Sequence, residues 1–89
     1  PPGCSRMNRQ ILVRFYTKPG CPLCEDAESL LEVAGRRFPI AIQPVDIRRD
    51  PRLFALYGER IPVLEFPDGT LLEPPVTRDR LTAILRRMD

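Results

Sequence analysis

Cys21 and Cys24, in the run Gly20-Cys21-Pro22-Leu23-Cys24, are the residues of this chain best equipped for chemistry. A cysteine thiolate is both the nucleophile of disulfide exchange and a ligand for soft metals, so the spacing admits two chemistries. A tetrahedral zinc site needs four ligands. The chain has 3 cysteines, no histidine and no second C-x-x-C. A metal would therefore need ligands from another subunit or from added thiols. An odd cysteine count with two cysteines in C-x-x-C reads, in a small chain, as redox or metal chemistry rather than as a structural staple.

Position decides how such a pair would work. Ile11-Leu12-Val13-Arg14-Phe15-Tyr16 is a short β-branched and aromatic run, the pattern of a mostly buried strand. Thr17-Lys18-Pro19-Gly20 breaks it, and a helix is expected from about Cys21-Pro22, with Pro22 in the first turn where no amide hydrogen is needed. Cys21 then faces the free amides and positive end of that helix, which favour thiolate and make it the attacking sulfur. Cys24 falls one turn later on the same side, placed to resolve a mixed disulfide. Lys18 adds positive charge nearby while Glu25 and Asp26 oppose it, so a moderate lowering of the Cys21 pKa is expected.

The helix should carry Leu23, Ala27, Leu30, Leu31 and Ala34 as an apolar stripe and stop at Gly35 and Arg36-Arg37. Residues 40–46 form a second strand, and Pro44 assigns it to a sheet edge. Asp50-Pro51 caps a short helix through Leu53, Phe54, Leu56 and Tyr57, closed by Gly58. Residues 62–66 are a third strand, Pro67-Asp68-Gly69-Thr70 a hairpin turn, and residues 70–73 a fourth strand. After Pro74-Pro75, Thr77 caps a last helix with Leu81, Ile84, Leu85 and Met88 on one face. Phe15 and Phe54 are expected in the core. The order β-α-β-α-β-β-α requires a parallel pair and an antiparallel pair, hence an α/β fold with a four-stranded mixed sheet flanked by three helices.

Tyr16-Thr17-Lys18-Pro19-Gly20-Cys21-Pro22-Leu23-Cys24 strongly resembles the active-site segment of glutaredoxins, within the thioredoxin-fold superfamily. Arg60-Ile61-Pro62-Val63-Leu64 is similar to that family's loop ending in a cis-proline, and Asp46-Ile47 with Asp50-Pro51 resembles the linker of a small glutaredoxin-like branch. The element order matches from about Gln10 to Asp89. The resemblance implies a thiol–disulfide oxidoreductase in which Cys21 and Cys24 are catalytic. It places Lys18, Pro22, Arg60, Ile61 and Pro62 on the substrate-binding surface, with Lys18 at a position that binds the glutathione carboxylate. It implies a cis Ile61–Pro62 bond beside the cysteines, presenting backbone to an extended thiol substrate. Substrates would be disulfide-containing proteins or glutathione mixed disulfides. Electrons would come from glutathione or a thioredoxin-reductase-type partner, with no bound cofactor and no resident metal.

One stretch departs from the family pattern. Glutaredoxins follow the fourth strand with a Gly-Gly turn that holds the γ-glutamyl end of glutathione. Here Glu73-Pro74-Pro75-Val76-Thr77 has no glycine pair, and two prolines remove amide donors. The resemblance thus carries disulfide chemistry without glutathione specificity. The rival readings of the same residues are a non-enzymatic carrier of an iron–sulfur cluster shared by two subunits, a redox-sensitive adaptor, and an inert pair of helix cysteines.

Composition sets the wider frame. The chain has 89 residues, 43% of them apolar and 29% charged, room for one modest core. Its net charge of +2 is too small to argue for nucleic acid, and no apolar run reaches the length of a membrane span. Lys18 is the sole lysine; Arg36-Arg37, Arg48-Arg49 with Arg52, and Arg86-Arg87 form short clusters that are either solvated surface or an anion-docking face. The start, Pro1-Pro2-Gly3-Cys4-Ser5-Arg6, lacks the apolar stretch of a secretory signal. Residues 1–9 read as a flexible tail, either a vector remnant ahead of a native start at Met7 or a native disordered end, with Cys4 outside the mechanism. Residues 10–89 read as the domain. A monomer that stays in the cytoplasm is expected.

Overall fold

The computed structural model of the protein describes residues 10–88. The tail reading, Cys4 included, lies outside those residues. Strand β1 (Ile11–Thr17) leads through a Pro19-Gly20 turn into helix α1 (Pro22–Ala34). Strand β2 (Ile40–Asp46), a 3-10 turn (Ile47–Arg49) and helix α2 (Pro51–Tyr57) follow. Strands β3 (Val63–Glu65) and β4 (Leu71–Leu72) and helix α3 (Arg78–Met88) complete the order.

The sheet runs β2-β1-β3-β4. β1 and β2 are parallel from Ile11 opposite Ile40 to Thr17 opposite Asp46. β3 is antiparallel to β1, and β4 to β3. Pro44 sits on β2, an edge strand, where its missing N–H breaks no ladder on the open side. β3 is shorter than its apolar run. Pro62 has no N–H to pair, and the Phe66 N–H turns back to the Thr70 carbonyl at 2.9 Å. Gly69, at φ +89°, and the Asp68 carboxylate accepting from the Thr70 N–H at 2.9 Å make that hairpin tight.

Alternation along β1 divides the sheet. Ile11, Val13 and Phe15 are buried on one face, with Leu64 and Leu72 in register across β3 and β4. Ala27 and Leu31 of α1 and Leu81 and Leu85 of α3 join them in one apolar cluster. Burial of this face supplies most of the driving force for folding. On the opposite face Tyr16 is met by Tyr57 of α2, with ring centroids 4.8 Å apart. α2 covers only that end of the sheet, and Leu12 and Leu71 further along remain more than 40% exposed.

Two apolar assignments are corrected. Leu23 is 59% exposed because the buried stripe of α1 runs through Cys24, Ala27 and Leu31, leaving Leu23 on the first turn beside the cysteines. Phe54 is 50% exposed, since the seven-residue α2 turns Leu53 and Tyr57 inward and the next positions outward. No helix among the described residues is long and apolar enough to cross a membrane.

Candidate functional site

Cys21 is the N-cap of α1, with extended backbone at φ −104° and ψ 105°. Gly20 precedes it at φ +75°, a conformation L side chains rarely adopt, which turns the chain out of β1 so that Cys21 stands at the helix start. Cys21 and Cys24 are joined as a disulfide with their Cα atoms 5.2 Å apart. The Cys24 N–H donates to Cys21 Sγ at 3.2 Å, the hydrogen bond an N-cap acceptor makes to the first turn. Burial separates the two sulfurs: Cys21 is half-buried, while Cys24 is 3% exposed within the apolar cluster. The local sequence explains the asymmetry. Cys24 lies on the same helical stripe as Ala27 and Leu31, and Cys21 lies just outside the helix.

A cavity of about 150 Å³ opens on the pair, lined by Phe15, Lys18, both cysteines, Glu25 and Glu28 among others. Lys18 thus lies at the sulfurs, together with two acids. Lys18 also lines a larger groove of about 810 Å³ with Phe54, Leu56 and Arg60. Arg60 is not at the cysteine cavity; it ion-pairs with Glu73 at 3.5 Å. Pro22 is exposed in the first turn of α1. Ile61 and Pro62 are buried before β3, joined by a cis peptide bond, and Ile61 belongs to the cluster against which Cys21 packs. The Pro74–Pro75 bond is also cis. In this segment Arg80 Nη1 donates to the Glu73 carbonyl at 3.0 Å and to the Pro75 carbonyl.

Sequence reasoning passed over a polar link on the other face of the sheet. The Tyr16 hydroxyl donates to Glu65 Oε1 at 2.7 Å, and Arg14 approaches the same oxygen at 3.7 Å. Burial, and then the hydrogen bond to Glu65, push the Tyr16 hydroxyl above its ordinary pKa. Only the β1–β3 register, Arg14 opposite Glu65, brings these residues together, so no local pattern announces them.

A sheet in the order β2-β1-β3-β4, with a C-x-x-C pair closing at the start of its first helix, defines a redox protein of thioredoxin fold. Residues 12–86 match the sequence model of the glutaredoxin-like domain (DUF836), and the chain belongs to that family. Protein XcR50 from X. campestris, known from its X-ray structure, is 35% identical over 84% of this chain and 96% of its own, with a TM-score of 0.74. Protein Ne2328 from Nitrosomonas europaea is 26% identical over 85% of this chain and 92% of its own, also at a TM-score of 0.74. A mutant thioredoxin from Halobacterium salinarum shares the fold, at a TM-score of 0.70 and 19% identity over 93% of this chain and 78% of its own. No curated protein matches the chain.

Proposed function

We propose that the protein is a thiol–disulfide oxidoreductase that reduces protein disulfides or glutathione mixed disulfides. The observation that carries this reading is the cysteine pair itself: a half-exposed Cys21 at a helix N-terminus, within bonding reach of a buried Cys24. In the reduced protein the Cys21 thiolate attacks one sulfur of a substrate disulfide. A mixed disulfide forms, and the other substrate sulfur leaves as a thiolate that takes up a proton. Cys24 loses its proton and attacks Cys21 Sγ, expelling the second substrate thiol and leaving the Cys21–Cys24 disulfide. Two electrons have passed from the cysteine pair to the substrate. An external thiol, glutathione or a reductase of the thioredoxin type, returns them.

The roles follow from access. The exposed sulfur meets the substrate, and the buried one meets only Cys21. The Cys24 N–H and the amides of the first turn of α1 are placed to stabilise negative charge on Cys21 Sγ. Lys18 adds a cation beside it, with Glu25 and Glu28 in opposition. Pro22 holds the first turn without needing an N–H; we assign the backbone at Ile61 and Pro62 to an extended substrate, with Arg60 meeting it further out, in the neighbouring groove that it lines with Lys18. Pro74 and Pro75 offer no N–H to a glutathione γ-glutamyl group, so glutathione is assigned as a reductant or as one half of a mixed disulfide and not as the specific substrate. The domain of residues 10–89 would act as a monomer in the reducing cytoplasm, where a dithiol is kept available.

The test is kinetic. Cys21→Ser is expected to abolish turnover, and Cys24→Ser to accumulate a covalent mixed disulfide detectable by mass spectrometry. Full activity in Cys21→Ser would sink the proposal. A coupled assay with glutathione and glutathione reductase, against one with thioredoxin reductase, identifies the donor.

A further inference from the structure

Arg48, Arg49 and Arg52 form a basic cluster that the exchange chemistry does not use. In the fold Arg48 and Arg49 lie on the 3-10 turn between β2 and α2, and Ile47 at its start is fully buried, which fixes the turn to the core. This connection walls a cleft of about 650 Å³ that shares Lys18 and Pro19 with the cysteine cavity. Its apolar lining comes from Pro19, Pro44, Val45 and Leu53. Lys18 and Arg49 line it with no ion-pair partner among the described residues.

Both carboxylates at the cleft are already engaged. Asp46 accepts from the Arg48 N–H at 3.0 Å and from the Arg48 guanidinium at 2.9 Å, and Asp50 accepts from the Arg52 N–H at 2.9 Å. Lys18 and Arg49 are therefore the unpaired cations of the lining among the described residues; of its two carboxylates, Asp46 is neutralised by Arg48, and Asp50 caps α2 through the Arg52 N–H. The charge reverses beyond the cysteines, where Glu25 and Glu28 line the cavity.

We propose that this cleft docks an acidic segment of the polypeptide whose disulfide is exchanged, an Asp or Glu beside an aliphatic residue close to the reacting cysteine. The inference rests on the oxidoreductase reading and names the partner of that same site. A carboxylate on the partner meets Arg49 and Lys18, and Arg49 has the planar fork that carboxylates fit. The aliphatic neighbour covers Val45 and Leu53. Threading in the opposite sense sets the acid against Glu25 and Glu28 and is disfavoured, so the cleft sets orientation as well as affinity.

The test uses two peptides with the same central cysteine in mixed disulfide, carrying either Glu-Leu or Lys-Leu on one side and Gly-Ser on the other, each compared in its faster order. The acidic peptide is expected to show a kcat/KM about fivefold higher at low salt, through KM, the scale of one or two exposed ion pairs. The preference should shrink as ionic strength rises. Arg49→Glu should remove the preference by raising KM for the acidic peptide at constant kcat. Equal rates for the two peptides, or a preference that survives Arg49→Glu, overturn the docking site.

Fluorescence anisotropy with the same peptides carrying Ser in place of Cys reads docking without exchange. Selective binding lost in Arg49→Glu, in a protein that does not turn over disulfides, would retain the cleft and overturn the oxidoreductase reading. Equal binding of both peptides, in a protein with normal turnover, would do the reverse.

Discussion

Tyr16 carries its hydroxyl into the fold and gives it one strong acceptor, Glu65, while its ring rests on Tyr57. Because the pKa is raised by burial first and by Glu65 second, the folded protein holds this proton more tightly than the unfolded chain does. The stabilisation is present below pH 10, the ordinary value, and is lost as pH rises through the higher folded value. Urea melts of the oxidised protein at rising alkaline pH should therefore show falling stability, and Tyr16→Phe should flatten that fall. An identical alkaline slope in the variant would contradict the assignment. Gly20 is a second residue whose role is local. A side chain there meets nothing within 4 Å, so only the backbone at φ +75° resists substitution. Gly20→Ala is expected to cost about 1 kcal/mol in chemical denaturation, with a drop in kcat as Cys21 shifts at the helix start.

The elements obey their punctuation. Pro22 and Pro51 open α1 and α2, and Asp50 caps α2 through the Arg52 N–H at 2.9 Å. Removing that cap in Asp50→Ala should cost about 1 kcal/mol of stability. Gly58 closes α2 for a reason the sequence did not disclose. Its backbone is ordinary, but a Cβ there would sit 2.5 Å from the Phe54 carbonyl oxygen. Gly58→Ala should destabilise the protein by about 1–3 kcal/mol in urea titration, the cost of forcing atoms into an occupied space. A wild-type midpoint for that variant would refute the close packing. Element types were legible because proline, glycine and apolar period act within one element. The outward faces of Leu23 and Phe54 were not, because amphipathic pattern marks an apolar side without saying how far a neighbouring layer extends.

At the scale of the molecule, one core face carries the fold: Val13, Phe15, Leu31, Leu64, Leu72, Leu81 and Leu85 are buried to 2% exposure or less. Leu85→Ala should cost about 2–5 kcal/mol, read as a fall of at least about 10 °C in Tm, with the Cys21–Cys24 disulfide still able to form. Since the proposed mechanism uses one pair of sulfurs, Cys4→Ser should leave turnover unchanged. The order of elements, the edge position that Pro44 imposes on β2, and the paired cysteines at the head of α1 were all determined by the chain itself, since each depends on neighbours within a few residues. Only the tertiary structure decided that Arg60 pairs with Glu73, that Tyr16 meets Glu65, and that Lys18 borders both the cysteine cavity and the cleft lined by Arg49. Those contacts join different elements, and strand register and helix docking, which are properties of the packed whole, bring them within reach.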